Sequence, residues 1–425
     1  MLALLRVTPN TQQHHEQPLP TLKPKAVPSK TFEHSPIAGS FDVAVIGLSG
    51  RYPKANTLNE FWQLLSAGVD AISEIPAERW DWRDGFGYSR WGGFIEGVDE
   101  FDPLFFQISP RDAERMDPQE RLFLQIAYAC IEDAGYTPLG LSEQRKVGVF
   151  VGVMNSLYAA RASHWSIANR VSYALDFQGP SLAVDTACSS SLTAIHLALN
   201  SLATGESDVA LAGGVNLILD SSHFQLLSDM TMISHSPYCR AFGANADGFV
   251  DGEGVGAVLL KPLAQAIADD DRIYGVIKAS AVNAGGKSNG FTVPNPTAQA
   301  QLIANAISRA KIHPRAISYL EAHGTGTALG DPIEISALTK AFQQSAAGSA
   351  VETGYCALGS VKSNIGHSES AAGMAGLTKV LLQLQHQQLV PSLHSAQLNP
   401  AINFEQTPFF RAATRTSVAK TRVES

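Results

Sequence analysis

Three short segments of this 425-residue chain carry side chains suited to covalent chemistry. Cys188 stands in Val184-Asp-Thr-Ala-Cys-Ser-Ser-Ser-Leu192, after a short apolar run and before Leu192, Ile195, Leu199 and Leu202 at helical spacing. A thiol in a tight strand-to-helix turn meets free N–H groups and the positive helix end, which favour its thiolate. The competing reading is a buried structural cysteine. His323 lies in Glu321-Ala-His-Gly-Thr-Gly-Thr327, directly after a predicted strand. The alternating glycines let backbone approach a ligand, and ligands gather at strand carboxyl ends in α/β proteins. An ordinary loop histidine remains the alternative. His367 lies in Lys362-Ser-Asn-Ile-Gly-His-Ser-Glu369, again between strand and helix, with Lys362 and Glu369 flanking it. It reads either as a second catalytic imidazole in a charged network or as part of a helix-capping turn with a surface ion pair. The other histidines, His196 among them, read as structural or as parts of the amino-terminal tail.

The elements that must position these groups follow from apolar runs. Strands are predicted at Phe41–Gly47, Val147–Gly152, Ser181–Asp185, Val209–Gly213 and Gly254–Leu260, with helical stretches such as Glu120 to Ala134 between them. The pattern restarts at Ile273–Ala279, followed by a helix from Gln299 to Ala310, strands at Ile317–Leu320 and Ala357–Val361, and a long helix from about Ser370 to His386. Alternating strands and helices give an α/β layered fold in two related halves, with five strands in the first and three in the second. Residues 1–40 carry prolines at 9, 18, 20, 24, 28 and 36 and read as a disordered linker or tail. The expected organisation is therefore 1–40 tail, 41–265 first half with the cysteine, 266–410 second half with two histidines, and 411–425 divergent tail.

Hydrophobic residues make up 45% and charged residues 16% of the chain, as in a well-buried globular protein. A formal net charge of −8 with no Lys/Arg run argues against nucleic-acid binding. The four cysteines form no CxxC pair, so neither a metal cluster nor a disulfide scaffold is expected. No apolar run reaches membrane-spanning length, and a cytoplasmic protein is the expectation.

The three segments around Cys188, His323 and His367, in that order and each at a strand end, resemble the three motifs of β-ketoacyl-acyl carrier protein synthases. Phe101-Asp-Pro-Leu-Phe-Phe, Met116-Asp-Pro-Gln-Glu-Arg121 and Asp247-Gly-Phe-Val-Asp-Gly-Glu-Gly254 are similar to modular polyketide synthases. Asn289-Gly-Phe-Thr-Val-Pro-Asn-Pro296 resembles the subgroup served by free-standing acyltransferases. The resemblance runs from about residue 41 to about 410. It implies a thiolase-like duplicated five-layer α-β-α-β-α fold and a homodimer. It also implies decarboxylative condensation: Cys188 carries an acyl chain, and His323 and His367 promote decarboxylation of malonyl-carrier protein and stabilise the enolate. Lys362 and Glu369 would orient the histidines, and Thr325 and Thr327 would contact the phosphopantetheine arm of an acyl carrier protein. No metal or bound cofactor is implied. The further partners implied are other polyketide synthase modules and a free-standing acyltransferase.

Two departures stand out. Val151-Gly-Val-Met-Asn-Ser156 is followed closely by Ser163-His-Trp-Ser-Ile-Ala-Asn-Arg170, where the family has a longer loop. The family's closing Gly-Phe-Gly-Gly-Thr-Asn-like loop and its two flanking strands have no counterpart after Thr407-Pro-Phe-Phe410. The second half is therefore expected to lack two strands and one oxyanion-hole donor. Three readings stand: a condensing enzyme, a thiolase working on coenzyme A, and a non-catalytic carrier-protein-binding or dimerisation module. The motifs favour the first.

Overall fold

The computed structural model describes residues 4–6, 41–84, 89–156, 158, 163–288, 290, 293–346, 348–412 and 416–417. Apolar runs flanked by glycine become buried strands because both of their faces are covered. The first sheet is built from β1 (Leu4–Arg6), β2 (Val43–Arg51), β3 (Val147–Gly152), β4 (Ser181–Val184), β5 (Val209–Asn216), β7 (Gly254–Pro262) and β8 (Gly275–Ala279), with the two-residue β6 (Asp251–Gly252) lying outside it. Its order is β1-β8-β2-β7-β5-β3-β4. The pairs β5·β3 and β3·β4 are parallel; β2·β7 and β7·β5 are antiparallel. Successive residues point to opposite faces. Ala44 and Ile46 join Leu122, Phe123 and Ile126 of α1 (Pro118–Asp133) on one side. Val43, Val45 and Leu48 join Ala194, Ile195 and Leu199 of α2 (Ser190–Thr204) on the other.

The second sheet is parallel, in the order β9 (Tyr319–Glu321), β10 (Cys356–Gly359), β11 (Phe409–Arg411). Helices α4 (Pro296–Ala310) and α5 (Gly330–Ser345) cover its outer face through Ile303, Ile307, Leu338 and Phe342; α3 (Ser221–Asp229) belongs to the first half. Helix α6 (Ala372–His386) lies with α2 between the sheets and sends Met374, Leu377 and Leu381 into the first sheet's core. The result is five layers, α-β-α-β-α.

The structure differs from the sequence expectation at three places. Leu4–Arg6 lies in the supposed disordered tail, yet it pairs antiparallel with β8 at the sheet edge. That short segment has no proline, so its N–H groups are free to extend an edge strand; residues 1–3 and 7–40 lie outside the described residues. Gly275–Ala279, expected to open the second sheet, pairs with β2 of the first. Phe409–Arg411, not foreseen, becomes the third strand of the second sheet, with Phe409 buried against Phe342. The second sheet thus has three strands among the described residues, with β9 paired there on one side only. The short loop after Ser156 and the Asn289–Pro296 segment fall partly outside the described residues, as does most of 411–425.

Close strand approach fixes some glycines. A Cβ on Gly213 would lie 2.1 Å from the Gly256 carbonyl oxygen, and backbone there has no room to move. Gly213→Ala is expected to cost about 1–3 kcal/mol. Chemical denaturation checks this; an unchanged midpoint would contradict the packing described.

Candidate active site

Cys188 sits in a turn held by its own hydroxyl neighbours. β4 ends at Val184, and Ala187 takes a left-handed φ of 54°. The Thr186 N–H donates to Ser190 Oγ at 2.9 Å, and Ser190 Oγ donates to the Ala187 carbonyl at 2.6 Å. α2 starts at Ser190, so the cysteine stands just before a helix start, as the spacing predicted. The turn is pressed inward: a Cβ on Gly152 would meet the Ser191 nitrogen at 2.3 Å. The thiolate expected from the helix start is not favoured at rest. Burial pushes the Cys188 thiol up to about 11; Glu369 and Asp251 add to that, and Lys362 pulls it back.

His323 follows β9 and is anchored by a carboxylate that sequence reading gave no role. Glu334, on α5, accepts the N–H groups of His323 at 2.7 Å and Gly324 at 2.9 Å. Asp331 accepts from Gly326 at 3.2 Å and from Phe242 at 2.6 Å. Gly324 and Gly326 both have positive φ, which lets the loop fold back over α5. Thr325 and Thr327 place their hydroxyl oxygens 3.2 Å apart, and both line the cavity described below.

His367 is pinned through backbone. Its N–H donates to the Val250 carbonyl at 2.7 Å, and its carbonyl accepts from Gly252 of β6 at 3.1 Å. Its Nδ1 accepts the Glu369 N–H at 3.0 Å. An accepting Nδ1 means that the ring proton is on Nε2. The His323 and His367 rings lie edge to face with centroids 5.3 Å apart. Desolvation and then the Lys362 ammonium hold both imidazoles below their ordinary range; His367 is buried, while His323 faces the open cavity. Both are neutral at physiological pH.

Lys362 is buried at the start of a short helical turn, and burial lowers its own pKa. It acts on both histidines through its field. Glu369 touches His367 directly. Its backbone, not its carboxylate, holds His367; the carboxylate accepts from Asn155 Nδ2 at 2.8 Å and lies 2.9 Å from His223 Nε2. His223 and Asp251 complete a buried group that sequence reading missed, because a lone histidine on a helix and an aspartate in a glycine-rich run carry no spacing signal. One ligand atom from each of His223, Asp251 and Glu369 lies within 4.8 Å of the others, the one such donor set among the described residues. Burial lowers the His223 pKa, but Glu369, Asp251 and Asp220 outweigh it and carry the imidazole to about 9. Burial, with Glu369 beside it, pushes the Asp251 carboxyl well above its ordinary range, and the three side chains form a buried set around His223 Nε2.

Cys188, His323, His367, Lys362, Thr325 and Thr327 all open onto one cavity of about 1010 Å³. Glu369 lies outside its lining. The cavity continues along residues 317–321 of the β9 edge and along Gly373, Gly376 and Leu384 of α6. His196, read as structural, bonds Ser280 at 2.7 Å away from this cavity. The four cysteines are free. No helix among the described residues is long and apolar enough to cross a membrane.

Comparison with known proteins agrees with this arrangement. The model of the family described as Beta-ketoacyl synthase, N-terminal domain, matches residues 40–266, and that of the Beta-ketoacyl synthase, C-terminal domain, matches 274–396. The chain is 65% identical over 87% of its length to polyketide synthase PksM of Bacillus subtilis, and 56% identical over 90% to polyketide synthase ThaG of Burkholderia thailandensis. It spans only 9% and 7% of those proteins. Among solved structures it resembles the oxazolomycin ketosynthase domain OzmH KS7 of Streptomyces albus, with TM-score 0.86, 46% identity, and coverage of 88% of this chain and 69% of that one. The ketosynthase from module 6 of the bacillaene synthase of Bacillus subtilis gives TM-score 0.87 and 42% identity, with coverage of 89% and 68%. The chain therefore belongs to the β-ketoacyl synthase family, as a ketosynthase of the polyketide synthase type with the thiolase-like fold.

Proposed function

We propose that this chain is a 3-oxoacyl-carrier-protein synthase performing decarboxylative Claisen condensation, with Cys188 as nucleophile. The observation that carries the reading is the convergence of Cys188 and two neutral imidazoles on one cavity beside a buried ammonium. Cys188 sulfur attacks an acyl thioester on a carrier-protein phosphopantetheine. The acyl–sulfur bond to the carrier breaks, and the thiol proton ends on the departing carrier thiol. Malonyl-carrier protein then loses carbon dioxide. Its enolate oxygen needs hydrogen-bond donors in a dry site, and a neutral imidazole with its proton facing the cavity supplies one without adding charge. The enolate carbon attacks the acyl-Cys188 carbonyl, a β-ketoacyl thioester forms, and the Cys188 thiolate leaves and takes a proton from water. Thr325 and Thr327 offer hydroxyls to the pantetheine arm. No bound cofactor is needed for these steps.

The partners in this reading are an acyl carrier protein, neighbouring polyketide synthase modules, a free-standing acyltransferase and a second copy of the chain. Strand β4 is a sheet edge with Leu182 exposed, and Trp165 and Tyr173 on the helix packed against it are exposed too. An open edge of that kind favours pairing with a like edge, which supports a homodimer there.

Acylation and decarboxylation separate the roles. Cys188→Ala should abolish the mass adduct formed with acyl thioesters; an adduct that survives removes Cys188 from the mechanism. His323→Ala should still acylate yet fail to decarboxylate malonyl-carrier protein. Normal decarboxylation by that variant would contradict the role given to His323. Comparing carrier-protein with coenzyme A thioesters in the same assay tests the thiolase alternative.

The open β9 edge favours a second reading, a carrier-binding or dimerisation module with little turnover. Ordinary condensation turnover by this chain would contradict that reading.

A further inference from the structure

Glu369 has a left-handed φ of 38°, a conformation that residues with a Cβ adopt at a cost. Its neighbours are tied elsewhere: the His367 N–H donates to the Val250 carbonyl, and Ser370 Oγ donates to the Val215 carbonyl at 2.7 Å. In that conformation the Glu369 N–H points at His367 Nδ1, 3.0 Å away. The Glu369 side chain is buried, and its carboxylate is held from two directions. Asn155 Nδ2 donates to Oε2 at 2.8 Å, and His223 Nε2 donates to Oε1 at 2.9 Å. A carboxylate only accepts, so His223 carries a proton on Nε2. Asp251 Oδ2 is 3.6 Å from the same nitrogen, beyond hydrogen-bond reach. Asn155 is itself anchored: Gln119 Nε2 donates to its carbonyl at 2.6 Å, and the adjoining Ser156 donates to Asp117 Oδ2 at 3.0 Å. Asp117 and Gln119 belong to Met116–Arg121, a motif to which the condensing steps give no role.

We propose that Asn155 and His223 are positioning residues: they grip the Glu369 carboxylate, hold its backbone in the left-handed conformation, and so keep its N–H on His367 Nδ1 and the His367 ring proton on Nε2. The proposal rests on reading His367 as a hydrogen-bond donor to the enolate. A neutral imidazole can carry its proton on either nitrogen. With a backbone N–H facing Nδ1, only Nε2 can carry it. If Glu369 relaxes to an ordinary negative φ, its N–H turns away from the ring. Nδ1 can then take the proton, and Nε2 stops donating. The Met116–Arg121 motif reaches the site through the same chain of contacts, from Gln119 to Asn155, Glu369 and His367.

The test is the nitrogen-15 signature of the His367 ring in the full chain, at neutral pH without substrate, alongside decarboxylation of malonyl-carrier protein. Wild type should show one tautomer, protonated at Nε2. Glu369→Ala keeps the backbone cost and loses the grip. It should show both tautomers and decarboxylate about tenfold more slowly, part of the roughly 100- to 1,000-fold that loss of a whole oxyanion donor costs. Glu369→Gly reaches a φ of 38° without strain, so it should keep more of the Nε2 tautomer and decarboxylate several-fold faster than Glu369→Ala. His223→Leu should mix the tautomers, and His223→Gln, which retains an N–H donor, should mix them less. Adding His223→Leu to Glu369→Gly should mix them no further, because no carboxylate is left to hold. Equal signatures for alanine and glycine at position 369, a single tautomer in His223→Leu, or a double variant more mixed than Glu369→Gly would each overturn the proposal. The alanine–glycine comparison decides even where His223→Leu fails to fold. A ring that follows the predicted pattern in a chain that never decarboxylates malonyl-carrier protein would sink the condensing reading and leave the grip standing.

Discussion

Lys362 brings an ammonium into a site that solvent hardly reaches, and the charge states around the cavity follow from it. Removing a cation from water is expensive unless nearby groups compensate. Glu334 and Glu321 contribute to that compensation, and each is in turn tied to a loop of the site. Glu334 binds the two N–H groups that shape the His323 loop. Glu321 accepts the Val361 N–H just before Lys362 and pairs with Lys379 at 2.8 Å. The same ammonium discourages protons on His323 and His367 and favours the thiolate of Cys188. Desolvation and this one buried charge together keep two imidazoles neutral, the state in which they donate hydrogen bonds without adding positive charge.

That arrangement needs two sheets brought close by helices of small residues. α2 and α6 meet where Gly373 would place a Cβ 2.3 Å from Leu192 and where the Met374 N–H donates to Ser191 Oγ at 3.1 Å. Cys188 comes from the first half, His323 and His367 from the second. The contact between these two helices therefore sets the distance between nucleophile and imidazoles. Bulk added at Gly373 would push the halves apart and widen the site without touching any reacting group.

Much of this was readable in advance, for physical reasons. Strands ending in glycine and helices with regular apolar spacing depend on local pattern, so β3, α2 and the position of Cys188 between strand and helix were legible. His323 and His367 were legible because each follows a strand in a run of small residues. Pairing partners were not. The strand at Gly275–Ala279 carries nothing in its sequence that says whether it joins the first sheet or the second, and it joins the first. The short apolar Leu4–Arg6 was lost within a proline-rich context. The His223–Asp251–Glu369 triad joins three segments far apart in the chain, and no spacing rule connects them. Glu369 contacts His367 through its backbone N–H, a detail residue type does not carry, while its carboxylate turns to Asn155 and His223.

The central claim is that His323 and His367 stay neutral, with the His367 proton on Nε2. Nitrogen-15 chemical shifts of the two imidazoles, followed from neutral pH into acid, test this most directly. The account predicts that both rings remain neutral well below the ordinary histidine value of 6.5 and that His367 shows a protonated Nε2 and an accepting Nδ1. Titration of either ring near that ordinary value, or a His367 proton on Nδ1, would contradict it.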